Sequence, residues 1–309
     1  MLNIDALVKR MDELADLTWE RVAFADRGFS FREDSITEHN LFELARHHPQ
    51  LRVQRFNGAE EAVNGADWEW WVGGPGQGWV GLRIQAKKLA IDGTYHEISH
   101  TTAHRRRQYD VLINSCFEDQ EKYAVPILPL YCFYNGWNGQ SGLDPTWPEN
   151  TKNAACPKEF FPPDCTHVPN IRSFGCAISS ALDVVAVHQG PRGSRTTLNG
   201  HLARSRPWSH LFYKRKPPGA PAGIGTRPLN VADTVLSQAG AWLRKGFEDV
   251  SLMNNPDYGR LVETVRRPPS RQLPGYASAI LNGRLPRDVE WPEATFVAIL
   301  NAEATSQTS

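Results

Sequence analysis

Apolar residues at Ile4, Leu7, Val8, Met11, Leu14, Ala15 and Leu17 recur at helical spacing, which predicts an amphipathic helix from Asn3 to about Arg21. A second helix is expected with Ser35 or Thr37 as its N-cap, running through Leu41, Leu44 and Ala45 to about His48, where Pro49 stops it. Weak alternation over Arg52 to Phe56 predicts a strand. Two more strands, Asp67-Trp68-Glu69-Trp70-Trp71 and Trp79 to Lys87, flank a glycine-rich turn at Gly73 to Gly78 and read as a hairpin. Thr101 to about Asp119 predicts a helix with an apolar face at Tyr109, Val111, Leu112 and Ile113. The dense apolar run from Val125 to Tyr134, with Pro126 and Pro129 toward its start, predicts a buried strand.

Beyond this point the pattern loosens. Residues 136–172 are rich in Gly, Pro and Asn and read as a long surface loop, as does Lys216 to Pro228. A helix is expected over Phe174 to His188, centred on Ile178 to Leu182, another over Val231 to Phe247, and a final strand over Ala294 to Leu300. No internal repeat and no second domain is visible, so residues 1–309 are expected to form a single decorated α/β domain with a mixed sheet.

The hairpin also carries chemistry. Strand side chains alternate faces, so Asp67 and Glu69 share one face of their strand, and Gln85 and Lys87 one face of theirs. If those faces coincide, two carboxylates, an amide oxygen and an ammonium gather among Trp68, Trp70, Trp71 and Trp79. Burying such groups is costly unless a cation or a substrate compensates the charge. Hydrolysis of a phosphodiester needs a metal ion to polarise the phosphoryl group and a group to hold the attacking water. Mg²⁺ or Mn²⁺ would suit the oxygen donors of Asp67 and Gln85, and Lys87 would hold the water.

Formal charge balances at 34 basic and 34 acidic side chains, yet no acid occurs between Asp183 and Asp233. That interval holds Arg192, Arg195, Arg204, Arg206, Lys214, Arg215 and Lys216, a plausible track for a nucleic-acid backbone or, alternatively, a solvated loop. Five cysteines, an odd number without C-x-x-C spacing, fit reduced thiols. With no secretory signal and no apolar run approaching the roughly 20 residues that span a bilayer, a cytoplasmic protein without a membrane partner is expected.

Gly-x-Asp on one strand, a glycine-rich hairpin and Gln-x-Lys on the next resembles the nuclease core of the PD-(D/E)xK superfamily, most closely the Mrr-type restriction endonucleases that write the last motif as QxK. The resemblance covers roughly residues 35–135 and leaves 136–309 as a long C-terminal elaboration. It implies a restriction-endonuclease-like fold, a mixed β-sheet flanked by helices. It implies an Mg²⁺-dependent endonuclease, with Asp67 and Gln85 as metal ligands, Lys87 as the catalytic lysine, and Glu38 as the acid many members add from the preceding helix. Gln108 lies on the crossover helix. Glu69 departs from the pattern as a second carboxylate. As a whole the chain resembles a bacterial family found among phage-defence genes, so DNA is the expected substrate and a homodimer or a defence-system protein the expected partner.

Other readings compete. Cys156, Cys165, His167 and Cys176 have the ligand types of a structural Zn²⁺ site, but the spacing lacks a knuckle. Asp67-Trp68-Glu69 matches a D-x-D metal motif of nucleotide-sugar transferases, although no glycine fingerprint precedes it and Gln85 and Lys87 would be left without a role. A catalytically inactive module that binds nucleic acid is the remaining alternative.

Overall fold

The periodicity at the N-terminus folds into helix α1, Ile4–Ala23, where the Asn3 side chain accepts a hydrogen bond from the Ala6 amide and caps the first turn. The computed structural model describes residues 2–56, 65–98, 101, 106–137, 171–212, 230–250, 256–284 and 294–304. Helix α2 spans Glu33–His47, so Ser35 and Thr37 lie inside it and neither is its cap. Arg32 holds the N-cap position in extended conformation without a side-chain cap. Glu33 and Asp34 fill the first turn, where carboxylates complement the positive end of the helix dipole.

Seven strands, β1 Leu51–Arg55, β2 Trp68–Gly74, β3 Gly78–Lys88, β4 Ile127–Tyr134, β5 Cys176–Ser180, β6 Arg206–Pro207 and β7 Phe296–Asn301, form one mixed open sheet. Their order is β1-β7-β2-β3-β4-β5-β6. The last strand in sequence therefore sits inside the sheet, parallel to β2 and antiparallel to β1. The motif-bearing stretch 35–135 supplies β1 to β4, and the sheet is continuous only because β7 arrives from the elaboration.

Helix α3, Gln108–Tyr123, starts later than Thr101 because Arg107 is extended at its N-cap. Where the apolar pattern predicts a helix through Ile178, the chain instead forms β5, antiparallel to β4, and only then helix α4, Ala181–Gln189, capped by the Ser180 side chain on the Asp183 amide. Pairing with a long buried neighbour wins over local helical spacing in so short a segment. Helices α5 Leu198–Leu202, α6 Val231–Asp249, α7 Pro256–Thr264 and α8 Gly275–Leu281 complete the described α-helices. Both expected loops lie mostly outside the described residues.

Helices α1 and α2 cover one face of the sheet. The Tyr134 hydroxyl of β4 meets Thr37 of α2 at 2.7 Å, and Cys176 of β5 meets Thr18 of α1 and Asn40 of α2 at 3.4 and 3.5 Å. Helix α3 covers the other face, where Gln108 reaches Gln85 and Asp119 reaches Arg83, both on β3. Trp68, Trp70, Trp71 and Trp79 are buried in the core. Among the described residues no helix is long and apolar enough to cross a membrane.

Candidate metal and active site

The β2–β3 register pairs Trp68 with Ile84 and Glu69 with Arg83, which sets Asp67 beside Gln85 just before β2 begins. Gly65 makes the approach possible. Its φ is +74°, and a Cβ there would lie 3.2 Å from both the Gln108 carbonyl and the Leu112 amide of α3. Asp67 is then held at both ends: its amide donates to the Ile84 carbonyl at 2.9 Å, and its carbonyl accepts from Thr295 and Phe296 at the entry of β7. Its Oδ2 accepts the Ala86 amide at 2.7 Å and the Gln85 Nε2, while Gln85 Oε1 accepts Gln108 Nε2 at 2.8 Å.

Lys87 follows two residues along the same strand face, with only 3% of its surface exposed. Among the described residues its ammonium has no hydrogen-bond or ion-pair partner, although Asp67 and Glu33 both feel its charge. Glu33, in the first turn of α2, is half-buried and accepts the Lys88 amide at 2.6 Å. The N-terminal ends of α2 and α3 therefore meet at the end of the sheet where Asp67, Gln85 and Lys87 lie.

Burial, more than any neighbouring charge, sets the electrostatics of the site. Burial pushes the Asp67 carboxyl up to about 6. The Ala86 N–H and the Lys87 ammonium oppose that shift, while Glu33 and Asp34 add to it. Some Asp67 surface stays open to solvent, so a ligand can reach it. Burial likewise raises Glu33, against Lys87 and the Lys88 amide. Close by, the buried Tyr131 hydroxyl and Gln108 Oε1 lack hydrogen-bond partners among the described residues.

Two carboxylates and an amide oxygen are hard donors of the kind Mg²⁺ and Mn²⁺ take, and Mg²⁺ commonly uses one or two carboxylates and keeps its waters. Among the described residues no three His, Cys, Asp or Glu side chains converge as a ready-made metal cluster. The donor set therefore fits a hydrated divalent ion and not a fully caged one.

Two expected residues lie elsewhere. Glu38 is exposed on the outer side of α2, 2.9 Å from Arg55, lining a groove of about 520 Å³ with Phe42, Val53 and Phe296. Glu69 shares the Asp67 face but is buried deeper, where Arg83 Nε donates to it at 2.9 Å, the Tyr276 hydroxyl donates to its other oxygen, and Arg83 also binds Asp119. Its charge is neutralised within that network. The acid at the site is Glu33, and its sequence signal was the Glu33-Asp34 pair, a favourable acidic first turn just ahead of the expected cap.

The basic interval divides in the same way. Arg204 is paired with Asp183 at 3.4 Å and with Asp249, and Arg206 donates to the Ser205 carbonyl at 2.7 Å. Arg192 is exposed in a short turn. Arg195 donates to the Gly190 carbonyl at the end of α4, next to His188. The His188 ring stands 5.5 Å from Tyr109, two residues after Arg107, so Arg195 and Arg107 converge near the start of α3 and both hold the His188 pKa down, behind the larger effect of burial. Sequence reading missed Arg107 because it lies far from the interval. Lys214, Arg215 and Lys216 lie outside the described residues, as do Cys156, Cys165 and His167, while Cys176 is buried in β5.

The model of a family described as a family of unknown function, DUF6615, matches residues 7–305. The chain belongs to that family. The matched stretch of this DUF6615 chain contains all seven strands and every residue of the cluster, so match and sheet describe the same unit. No curated protein and no solved structure matches the DUF6615 chain.

Proposed function

We propose that this chain is a metal-dependent nuclease with a restriction-endonuclease-like site, acting on DNA. The observation that carries the reading is the meeting of Asp67, Gln85 and Glu33 with a buried Lys87 whose ammonium lacks a partner among the described residues. The Lys87 stem is buried while its ammonium keeps contact with solvent beside Asp67 and Glu33, where a water or a phosphoryl oxygen can reach it.

Asp67, Glu33 and Gln85 would hold the cation, with the Gln85 amide turned so that Oε1 faces Asp67 and Nε2 faces Gln108. A bound divalent ion would polarise the phosphoryl group and lower the pKa of water. Lys87 orients the attacking water and stabilises charge developing on the phosphoryl oxygens. Gln108 keeps the Gln85 side chain in place. The resemblance to Mrr-type enzymes supports this division of roles, and the resemblance to a family among phage-defence genes supports foreign DNA as the substrate.

The test is incubation of the purified chain with linear, circular and single-stranded DNA and with RNA, in Mg²⁺, Mn²⁺ or EDTA. Cleavage is expected with either metal and none in EDTA. Lys87→Ala should lose cleavage yet still bind Mn²⁺ by calorimetry. Binding of nucleic acid without cutting under every condition would replace this reading with that of an inactive binding module.

Arg107 and Arg195 would neutralise phosphates of the substrate as it passes the start of α3. Replacing both with Ser should weaken duplex binding for all sequences alike and reduce the slope of log K against log salt by about 1.8, roughly 0.9 for each phosphate no longer neutralised. A salt slope equal to that of the parent chain would remove these two residues from the interface.

A further inference from the structure

The segment joining α1 to α2 exposes Phe24, Phe29 and Phe31 by 42%, 61% and 38%. Arginines are interleaved with the rings. The Arg21 guanidinium stands 5.7 Å from the Phe31 ring centroid and that of Arg27 4.8 Å from Phe24, while Arg32 is exposed at the head of α2. Gly28, with φ +84°, turns the chain out of the short helical turn Phe24–Arg27 toward Phe29.

This surface adjoins the site. The Phe31 carbonyl accepts the Lys88 ammonium at 2.6 Å, and Glu33, two residues on, accepts the Lys88 amide at 2.6 Å. The same strand end thus carries Lys87 in the site and anchors the aromatic segment beside it.

We propose that Phe29 and Phe31, flanked by Arg27 and Arg32, form a stacking platform for unpaired nucleotides, so that the site takes single-stranded or locally opened nucleic acid in preference to intact duplex. The proposal rests on the nuclease reading and deepens it. In a duplex the base faces are covered by their neighbours, and only an unpaired base offers its face to an exposed ring. Arginines alongside supply phosphate attraction and cation–π contact, the combination that binds single strands without sequence preference. Phe and Arg are enriched in protein interfaces as well, and it is the place of this patch beside Asp67 and Lys87, tied to it through Lys88, that assigns it to the substrate.

The experiment uses Asp67→Asn as a full-length chain that binds without cutting, and compares a fluorescent mixed-sequence 20-mer with its own duplex by anisotropy. In that background Phe29→Ala with Phe31→Ala should weaken single-strand binding by about tenfold or more for each ring, while duplex binding stays within about twofold. Tyrosine at both positions should retain most of the affinity. Both rings are exposed, so the melting temperature should not move, and a drop would mark a structural effect and overturn the platform. Equal weakening for both nucleic acids, no weakening for either, or a change in oligomeric state by sedimentation also overturns it, the last assigning the patch to self-association. If metal-dependent cleavage is intact in such a case, the nuclease reading survives. If the parent chain neither cuts nor binds any nucleic acid, both fall together.

Discussion

Asp67→Asn is expected to abolish cleavage and, in the absence of metal, to raise the melting temperature. The Asp67 carboxyl is pushed from its ordinary 3.8 to about 6, chiefly by burial. A carboxyl raised in the folded state contributes stability below its unfolded value, and that contribution is lost as pH rises from about 4 through about 6. Above that window the charged form destabilises the fold by about 3 kcal/mol, from a shift of about two units at 1.36 kcal/mol each. Asparagine carries no charge, and its carbonyl can still accept the Ala86 amide. In EDTA the variant should melt together with the parent near pH 4 and several degrees above it at pH 7.5. Mg²⁺ should narrow the gap, because it stabilises only the chain that binds it. A variant that melts below the parent at pH 7.5 in EDTA would show Asp67 to be a structural residue and undo the assignment.

Ile299→Asp should prevent folding altogether. Ile299 is wholly buried in β7, opposite Arg52 of β1 and Trp71 of β2. A carboxylate buried there costs several kcal/mol even beside Arg52, because a buried ion pair does not recover its desolvation, and it strikes a strand on which two others depend in a fold whose total stability is about 5–15 kcal/mol. Circular dichroism should show no cooperative melt. Ile299→Val, which loses about 1 kcal/mol, should remain folded and active. A parent-like melt for Ile299→Asp would mean that β7 is not the strand that joins β1 to β2.

Local patterns made much of the fold legible. The spacing of Leu7, Val8, Met11 and Leu14 identifies α1, and the two alternating runs around Gly73 to Gly78 identify the hairpin that sets Asp67 beside Gln85. Other features depend on partners distant in sequence. Cys176 to Ser180 is apolar or small throughout and suits a helix as well as a strand until β4 pairs with it. Nothing near Phe296 says that its strand belongs between β1 and β2. In the site, Glu33 was obscured because Arg32 occupies the cap position without a capping side chain, while Ser35 and Thr37 offer conventional caps a few residues later. Arg107 and Arg195 come together only through the packing of Tyr109 on His188.

The position of β7 also bears on how the protein is made. The Asp67 carbonyl is held by the amides of Thr295 and Phe296, so the motif of the hairpin is anchored by residues translated more than two hundred positions later. At about 5–20 residues per second, synthesis from Lys87 to that point takes roughly 10–40 s. During that interval the emerging chain contains Asp67, Gln85 and Lys87 but lacks the strand that joins β1 to β2. Fragments from interrupted translation share that lack. With the proposed function, the cell that makes this chain would meet its activity only in the finished molecule.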